Sequence, residues 1–180
     1  KFGCTPGAQT WQGQPGRALA LSGSCSIATR GQVAHHAARH PAREILAAEV
    51  MNGTVSAEAL IGWAKSQDGL PLLYSSADPD VIRAVQAEYG REPSAHAIEA
   101  LFADLAQRAV AAGFTRIIAA GGETSGAVVE GLGLETLTIG PEIDPGVPAV
   151  RAGENLVLAL KSGNFGAVDV FEKANRVLSP

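Results

Sequence analysis

The most informative stretch for the fold is residues 115–129, which read TRIIAAGGETSGAVV. Residues 117–120 are a short apolar run with two β-branched side chains, which is typical of a buried strand. Gly121 and Gly122 end that run. Because glycine has no Cβ, two consecutive glycines let an oxygen-rich ligand approach the main chain closely. The stretch therefore predicts a strand followed by an open, glycine-lined turn.

A helix is expected after this turn. Thr124 and Ser125 are both residue types that cap helices, and apolar residues 127–129 continue beyond them. The first N–H groups of a helix have no partner inside the helix, and the helix dipole favours an anion there. A strand, a glycine turn and a helix N-terminus together predict a phosphate-binding geometry. A tight turn without a ligand is an equally good interpretation of these residues alone.

A second unit of the same kind stands near the start of the chain. Residues 18–21 (ALAL) predict a strand, residues 22–26 (SGSCS) a loop, and residues 27–39 a helix. Ser22, Ser24 and the third serine of this loop offer hydroxyl hydrogen bonds to a phosphate or a carboxylate. Alternatively, one serine caps the helix and the others are merely small.

The remaining patterns predict further alternating elements. Strands are expected at 70–74, 134–139 and 156–160, helices at 56–67, 78–89, 94–112 and 168–178, a strand or short helix at 43–50, and a stiff loop rich in proline and glycine at 140–148. This order predicts an α/β layered sandwich, with a mostly parallel or mixed sheet flanked by helices. Residues 1–16 are expected to form an N-terminal arm or linker, and residues 17–180 a single domain.

Composition excludes several classes of function. The 180 residues carry a formal net charge of −4 without a basic run, so we expect no nucleic-acid partner. No apolar stretch approaches the roughly 20 residues of a membrane span. Two cysteines, Cys4 and Cys25, are too few for a disulfide framework, which favours a cytoplasmic location.

Three small-residue loops follow predicted strands, at residues 22–26, 121–125 and 161–166. If those strands are parallel, all three loops line one edge of the sheet, where ligands of open α/β sheets bind. The third loop adds the ammonium of Lys161 and the amide of Asn164, although Lys161 can also be a solvated strand end. No Walker-type loop, G-x-G-x-x-G fingerprint or G-x-S-x-G elbow is present in the sequence.

Two other kinds of site are not expected. His36 and His40 lie four residues apart on one helix face, but no carboxylate or cysteine stands at a suggestive spacing, so we assign no metal-binding residues. A hydrolase using Ser24 or Ser125 as nucleophile is disfavoured because no histidine lies in a comparable loop to activate either residue.

Four ordered motifs, SGSCSIATRGQ, GGETSGAVV, GPEIDPGVP and LKSGNFGAVD, resemble the C-terminal nucleotide-binding domain of the four-carbon acid sugar kinases. That family includes the 3-oxo-tetronate and erythronate kinases. The resemblance implies ATP-dependent phosphorylation of a small sugar acid. It also implies that ATP contacts the three loops, through Ser22, Ser24, Gly121, Gly122, Glu123, Thr124, Ser125, Gly163 and Asn164.

Phosphoryl transfer works mainly by positioning and charge neutralisation, with Mg²⁺ bridging phosphate oxygens. Glu123 is a candidate ligand for that Mg²⁺, or alternatively a first-turn carboxylate favoured by the helix dipole. Lys161 and Arg30 are further candidates for contacting phosphate.

Full-length members of the family carry an N-terminal domain that holds the sugar acid and an acidic motif suited to activating its hydroxyl. Nothing in this sequence matches that motif, so the catalytic residues are unassigned and these 180 residues alone are not expected to be active. Association into a homo-oligomer is open. The alternative function is a non-catalytic module that binds a phosphorylated or carboxylated metabolite.

Overall fold

A computed structural model describes residues 11–75 and 79–180. Within these residues, seven strands form one sheet: β1 Arg17–Ser22, β2 Ala42–Glu44, β3 Leu72–Tyr74, β4 Phe114–Ala120, β5 Thr138–Asp144, β6 Val147–Ala152 and β7 Leu156–Lys161. Seven described helices accompany them: α1 Ile27–Ala37, α2 Ala47–Met51, α3 Ala57–Lys65, α4 Pro79–Tyr89, α5 Arg91–Ala111, α6 Gly122–Gly131 and α7 Val170–Leu178. The predicted α/β class is confirmed. None of the described helices is both long enough and apolar enough to cross a membrane.

The sheet is mixed, with strand order β2-β3-β1-β4-β7-β6-β5. The first five strands in this order run parallel, and β6 and β5 complete the edge as an antiparallel hairpin. From β1 the chain moves outward to β2 and returns through β3, and it then crosses to the other side of β1 to form β4. This reversal makes the β1–β4 boundary the topological switch point, where α/β sheets bind ligands.

Alternation along β1 explains why helices cover both faces of the sheet. Leu19 and Leu21 face one core, which contains Phe102 of α5 and Val128 of α6. The alternate residues Ala18 and Ala20 face a second core formed with α1 and α7. Because successive side chains of a strand point to opposite faces, both faces of a central parallel strand must be apolar.

The predictions were wrong between residues 134 and 152. The predicted strand 134–139 begins only at Thr138 and continues through Pro141, while the predicted loop 140–148 contains most of a hairpin. Proline is tolerated because β5 is the edge strand and its pairing is irregular between Ile139 and Asp144. Gly146, with φ of +75°, makes the turn into β6, a strand that the sequence pattern did not reveal.

Smaller differences concern element boundaries. The ambiguous stretch 43–50 contains both elements, with the end of β2 followed by most of α2. The helix predicted from Ser94 begins at Arg91, because Gly90 with φ of +88° starts it and Ser94 Oγ donates to the Gly90 carbonyl at 2.6 Å. The predicted cap of α4 at Asp78 lies outside the described residues.

Candidate functional site

The three small-residue loops meet at one edge of the sheet, as the sequence predicted for parallel strands. Strands β1, β4 and β7 are adjacent, and their last residues, Ser22, Ala120 and Lys161, stand side by side in register. Main-chain hydrogen bonds join the first two loops to the neighbouring strand, from Gly23 N to the Ala120 carbonyl at 3.1 Å and from Gly121 N to the Lys161 carbonyl at 2.7 Å. The three loops therefore form one continuous rim.

The N-terminus of α6 lies between the other two loops. Gly121 is its N-cap residue, with φ of +127°, and no side chain among the described residues caps it. The predicted caps were wrong: Thr124 is buried inside the first turn, and Ser125 Oγ contacts the Ala119 carbonyl at 3.4 Å. An uncapped helix start offers its first N–H groups to an anion.

Close packing explains most of the glycines of the rim. A Cβ at Gly23 would lie 2.5 Å from Thr124 Oγ1, and one at Gly163 would lie 2.8 Å from Ser24 Oγ. A Cβ at Gly122 would have Ser162 Oγ, at 4.0 Å, as its nearest neighbour. Packing therefore requires glycine at positions 23 and 163, whereas position 122 faces open space.

The serines of the first loop have different environments. Ser26 caps α1, since its Oγ accepts a hydrogen bond from Thr29 N at 3.2 Å. Ser24 Oγ accepts from Ser26 N at 3.3 Å and is only partly buried. Ser22 is completely buried at the end of β1. Of the two serines assigned to ligand binding, Ser24 is therefore at the surface of the rim and Ser22 lies beneath it.

Lys161 is neither a solvated strand end nor an exposed phosphate ligand. Its side chain is buried, and Nζ donates to Thr29 Oγ1 at 2.9 Å and to the carbonyls of Ser162 and Gly163 at 3.0 Å. Burial lowers the pKa of Lys161 to about 8. The lysine thus joins the third loop to α1 from below.

Helix α1 holds the third loop through residues to which sequence reasoning gave no such role. The Gly163 carbonyl accepts from Ser26 Oγ at 2.6 Å and from Thr29 Oγ1 at 2.7 Å. Gln32 Nε2 donates to the carbonyls of Phe165 at 3.1 Å and Gly166 at 2.9 Å. The polar residues on the buried face of α1 were a usable signal, since buried polar groups need partners.

Two adjoining cavities open at the rim. One, of about 430 Å³, is formed entirely by the first two loops: Gly23, Ser24, Cys25, Gly121, Gly122, Glu123 and Thr124. The other, of about 150 Å³, shares four of these residues and extends between α4 and α5 over mainly apolar side chains, which include Val85, Ile98 and Phe102. Five of the nine assigned site residues line the first cavity; Ser22, Ser125, Gly163 and Asn164 line neither. Asn164 is exposed on the third loop.

A histidine cluster lies away from these cavities, between α1 and α7. His36 is buried, with Nδ1 2.9 Å from Glu172 Oε1 and Nε2 2.9 Å from the Leu70 carbonyl. His40 Nε2 lies 3.6 Å from the same carboxylate oxygen. Burial lowers the pKa of His36, and the bonds to Leu70 and Glu172 partly oppose this. The sequence gave no carboxylate partner because Glu172 is 136 positions away from His36.

This geometry defines the protein as an α/β domain with a candidate ligand site beyond the carboxyl ends of its parallel strands, at the switch point. The chain belongs to the family of nucleotide-binding C-terminal domains, whose model matches residues 19–171. It is 46% identical over 166 residues to a 3-oxo-tetronate kinase of Brucella melitensis, and 46% identical over 167 residues to one of Salmonella typhimurium. The resemblance to four-carbon acid sugar kinases is thereby confirmed.

These alignments cover 90% and 89% of this chain but only 38% and 40% of the respective relatives, so the chain spans about two fifths of the length of the curated relatives it matches. A Haemophilus influenzae protein described under DUF1537 superposes with a TM-score of 0.88 at 37% identity, over 96% of this chain and 43% of that one. A Bordetella bronchiseptica protein, crystallised with citrate as a domain-swapped dimer, shares the fold with a TM-score of 0.70 at 22% identity, over 91% and 41% of the two chains.

Proposed function

We propose that this chain is the ATP-binding domain of a kinase that phosphorylates a four-carbon sugar acid of the 3-oxo-tetronate or erythronate type. The observation that carries the proposal is the N-terminus of α6 at the switch point, which no described side chain caps, in a cavity formed by two glycine-containing loops. Relatives named 3-oxo-tetronate kinase supply the reaction class.

In this proposal the phosphates lie in the larger cavity. The N–H groups at the start of α6 and the hydroxyl of Ser24 donate to phosphate oxygens, and the open space at Gly122 lets them approach the main chain. Glu123 is exposed in the first turn of α6 and lines both cavities. From there its carboxylate would hold Mg²⁺, directly or through water, and the ion would neutralise charge on the phosphates.

The smaller cavity suits the base of the nucleotide. It adjoins the phosphate cavity through Gly23 and Thr124, and its walls are the aliphatic and aromatic side chains of α4 and α5. Ligand pockets commonly combine such an apolar lining with a few placed polar groups, and Ser75 and Ser94 are candidates for that role here.

Phosphoryl transfer also needs a site for the sugar acid and a group that activates its hydroxyl. We assign both to an N-terminal domain of the parent protein, as the family resemblance implies. The chain alone should therefore bind nucleotide without phosphorylating a sugar acid. Adding the sugar acid and Mg-ATP to the 180 residues should give no phosphorylated product by mass spectrometry.

The direct test is calorimetry with Mg-ATP, compared with Mg-tripolyphosphate and with ATP in EDTA. We expect saturable binding of Mg-ATP, weaker binding of tripolyphosphate because it lacks the base, and weaker binding without Mg²⁺. A folded chain that binds no Mg-ATP at millimolar concentration contradicts the proposal. Equal affinity for tripolyphosphate and ATP would favour the alternative, a general anion-binding module.

A matched pair of variants tests the base pocket. Ala95 is exposed on α5 and lines the smaller cavity. Ala100 is exposed on the same helix but lines neither cavity. Ala95→Phe should fill the pocket and weaken Mg-ATP binding while tripolyphosphate binding is unchanged. Ala100→Phe should alter neither. Equal effects of the two variants would place the base elsewhere.

A further inference from the structure

We propose that His36, His40 and Glu172 form a binding site for a divalent transition-metal ion, with Zn²⁺ the best match. Their ligand atoms, two imidazole nitrogens and one carboxylate oxygen, all lie within 4.8 Å of one another. This donor set is typical of zinc sites with three protein ligands and a water in the fourth position. The site is separate from the proposed nucleotide site.

The two polar contacts of the His36 ring determine which of its nitrogens can bind a metal. Its Nε2 lies 2.9 Å from the Leu70 carbonyl, which can only accept a hydrogen bond, so Nε2 carries the proton. In the neutral ring, Nδ1 then presents a lone pair towards Glu172 Oε1 at 2.9 Å. Two acceptors at that distance require a cation or a second proton between them. A metal-binding histidine typically donates its other N–H to a backbone carbonyl in this way.

The carboxylate of Glu172 has one oxygen that can still accept a ligand. Its Oε2 is buried and has no hydrogen-bond partner among the described residues. A buried carboxylate oxygen without a partner is costly, because it has lost its hydration. A metal ion held by this carboxylate would compensate for that loss. The orphaned oxygen is a separate observation from the approach of the two histidines.

The distances from the Glu172 oxygen to the two histidine nitrogens are close to those between the ligands of a tetrahedral zinc ion. For metal–ligand bonds of about 2.0–2.2 Å, tetrahedral ligand atoms lie about 3.3 Å apart. The carboxylate oxygen is 2.9 Å from His36 Nδ1 and 3.6 Å from His40 Nε2. Main-chain bonding of His40 N to the His36 carbonyl at 2.9 Å keeps the two rings adjacent, with centroids 4.6 Å apart. His40 is 35% exposed, so an ion has a route of entry and the ring has room to adjust.

Metal binding at this cluster should affect the stability of the fold. The cluster joins the end of α1 to the first turn of α7, and these two helices flank the third loop of the rim. Since an ion that binds only the folded state stabilises it by mass action, Zn²⁺ should raise the unfolding temperature.

The test is titration of metal-stripped protein with ZnCl₂ by calorimetry, together with thermal unfolding. We expect one ion per chain, and at least a tenfold loss of affinity in His40→Ala and in Glu172→Gln, both confirmed as folded by circular dichroism. His35→Ala is the matched control, because His35 is adjacent in sequence and outside the cluster. Cys25→Ser excludes binding by the Cys25 thiol. Co²⁺ should give the absorption bands of a tetrahedral site.

Four results would overturn the proposal: no saturable zinc binding, unchanged affinity in both cluster variants, an equal loss in His35→Ala, or loss only in Cys25→Ser. The first of these would leave a proton between His36 and Glu172 as the occupant. Because no nucleotide is used, failure here is independent of the proposed kinase function.

Discussion

Replacing Gly122 with alanine tests whether glycine at this position is needed for ligand binding rather than for stability. Position 122 is helical, and the nearest atom to an added Cβ is Ser162 Oγ at 4.0 Å, so the protein has room for the methyl group. Alanine also reduces the backbone entropy of the unfolded chain. The variant should therefore be as stable as the original protein, or more stable by up to about 1 kcal/mol.

Nucleotide binding should weaken in the same variant. Gly122 lines the larger cavity, and the methyl group occupies space through which a phosphate reaches the N–H groups of α6. Losing one hydrogen bond to a charged oxygen costs about 1.5–3 kcal/mol. Since about 1.4 kcal/mol is a tenfold change, the Kd for Mg-ATP should rise by about 10- to 100-fold.

The matched control is Gly126→Ala, four positions along the same helix, where an added Cβ meets nothing within 4 Å and the residue lines neither cavity. Both variants are compared by urea unfolding and by calorimetry with Mg-ATP. An unchanged Kd in a folded Gly122→Ala variant would refute the placement of phosphate at this helix. An equal loss in Gly126→Ala would refute the assignment to position 122.

Three further predictions concern the residues that hold the rim together. Lys161→Met removes a group whose pKa falls from 10.5 to about 8 on folding. At pH values between these two pKa values, the unfolded chain keeps a proton on Lys161 that the folded chain has lost. As the pH rises from about 7.5 to 9.5, the stability of the original protein, measured by urea unfolding, should therefore increase by about 2 kcal/mol relative to that of the variant. A stability difference that does not change with pH contradicts this. Gly163→Ala brings a Cβ to within 2.8 Å of Ser24 Oγ and should lower stability by about 1–3 kcal/mol in the same assay. Thr29→Val keeps the shape of the side chain but removes one of the three acceptors of the Lys161 ammonium and a donor to the Gly163 carbonyl, and should cost about 1–3 kcal/mol of stability. A smaller loss than in Thr54→Val, an exposed control, would count against the role of Thr29.

Local patterns were sufficient for the three central strands of the parallel part of the sheet. Apolar runs at 18–21, 117–120 and 156–160 predicted β1, β4 and β7. Strands that are buried on both faces consist almost entirely of apolar residues, so they are easily recognised in the sequence. The edge hairpin was missed because its constraints are different. An edge strand can contain Pro141, and the turn at Gly146 looks the same in sequence as part of a loop.

The details of the site depend on contacts between distant parts of the chain. Lys161 at a strand end was expected to be solvated or to face a ligand, but it is covered by Thr29, 132 positions earlier. The carboxylate of Glu172 completes the histidine cluster from a helix whose position only the fold determines. Spacing along one helix reveals residues that share a face. It does not reveal which other helix packs against that face.

The network beneath the rim also bears on how the site works. The Gly163 carbonyl accepts hydrogen bonds from Ser26, Thr29 and Lys161, so this peptide is fixed before any ligand binds. Together with the main-chain bonds between the loops and the neighbouring strands, these contacts hold the proposed phosphate-binding groups in place in the free protein. A site that is already ordered has less conformational entropy to lose on binding. In the proposed kinase, the rim should therefore behave as a rigid half of the active site, and any motion that completes the site should occur between this domain and the proposed sugar-acid domain.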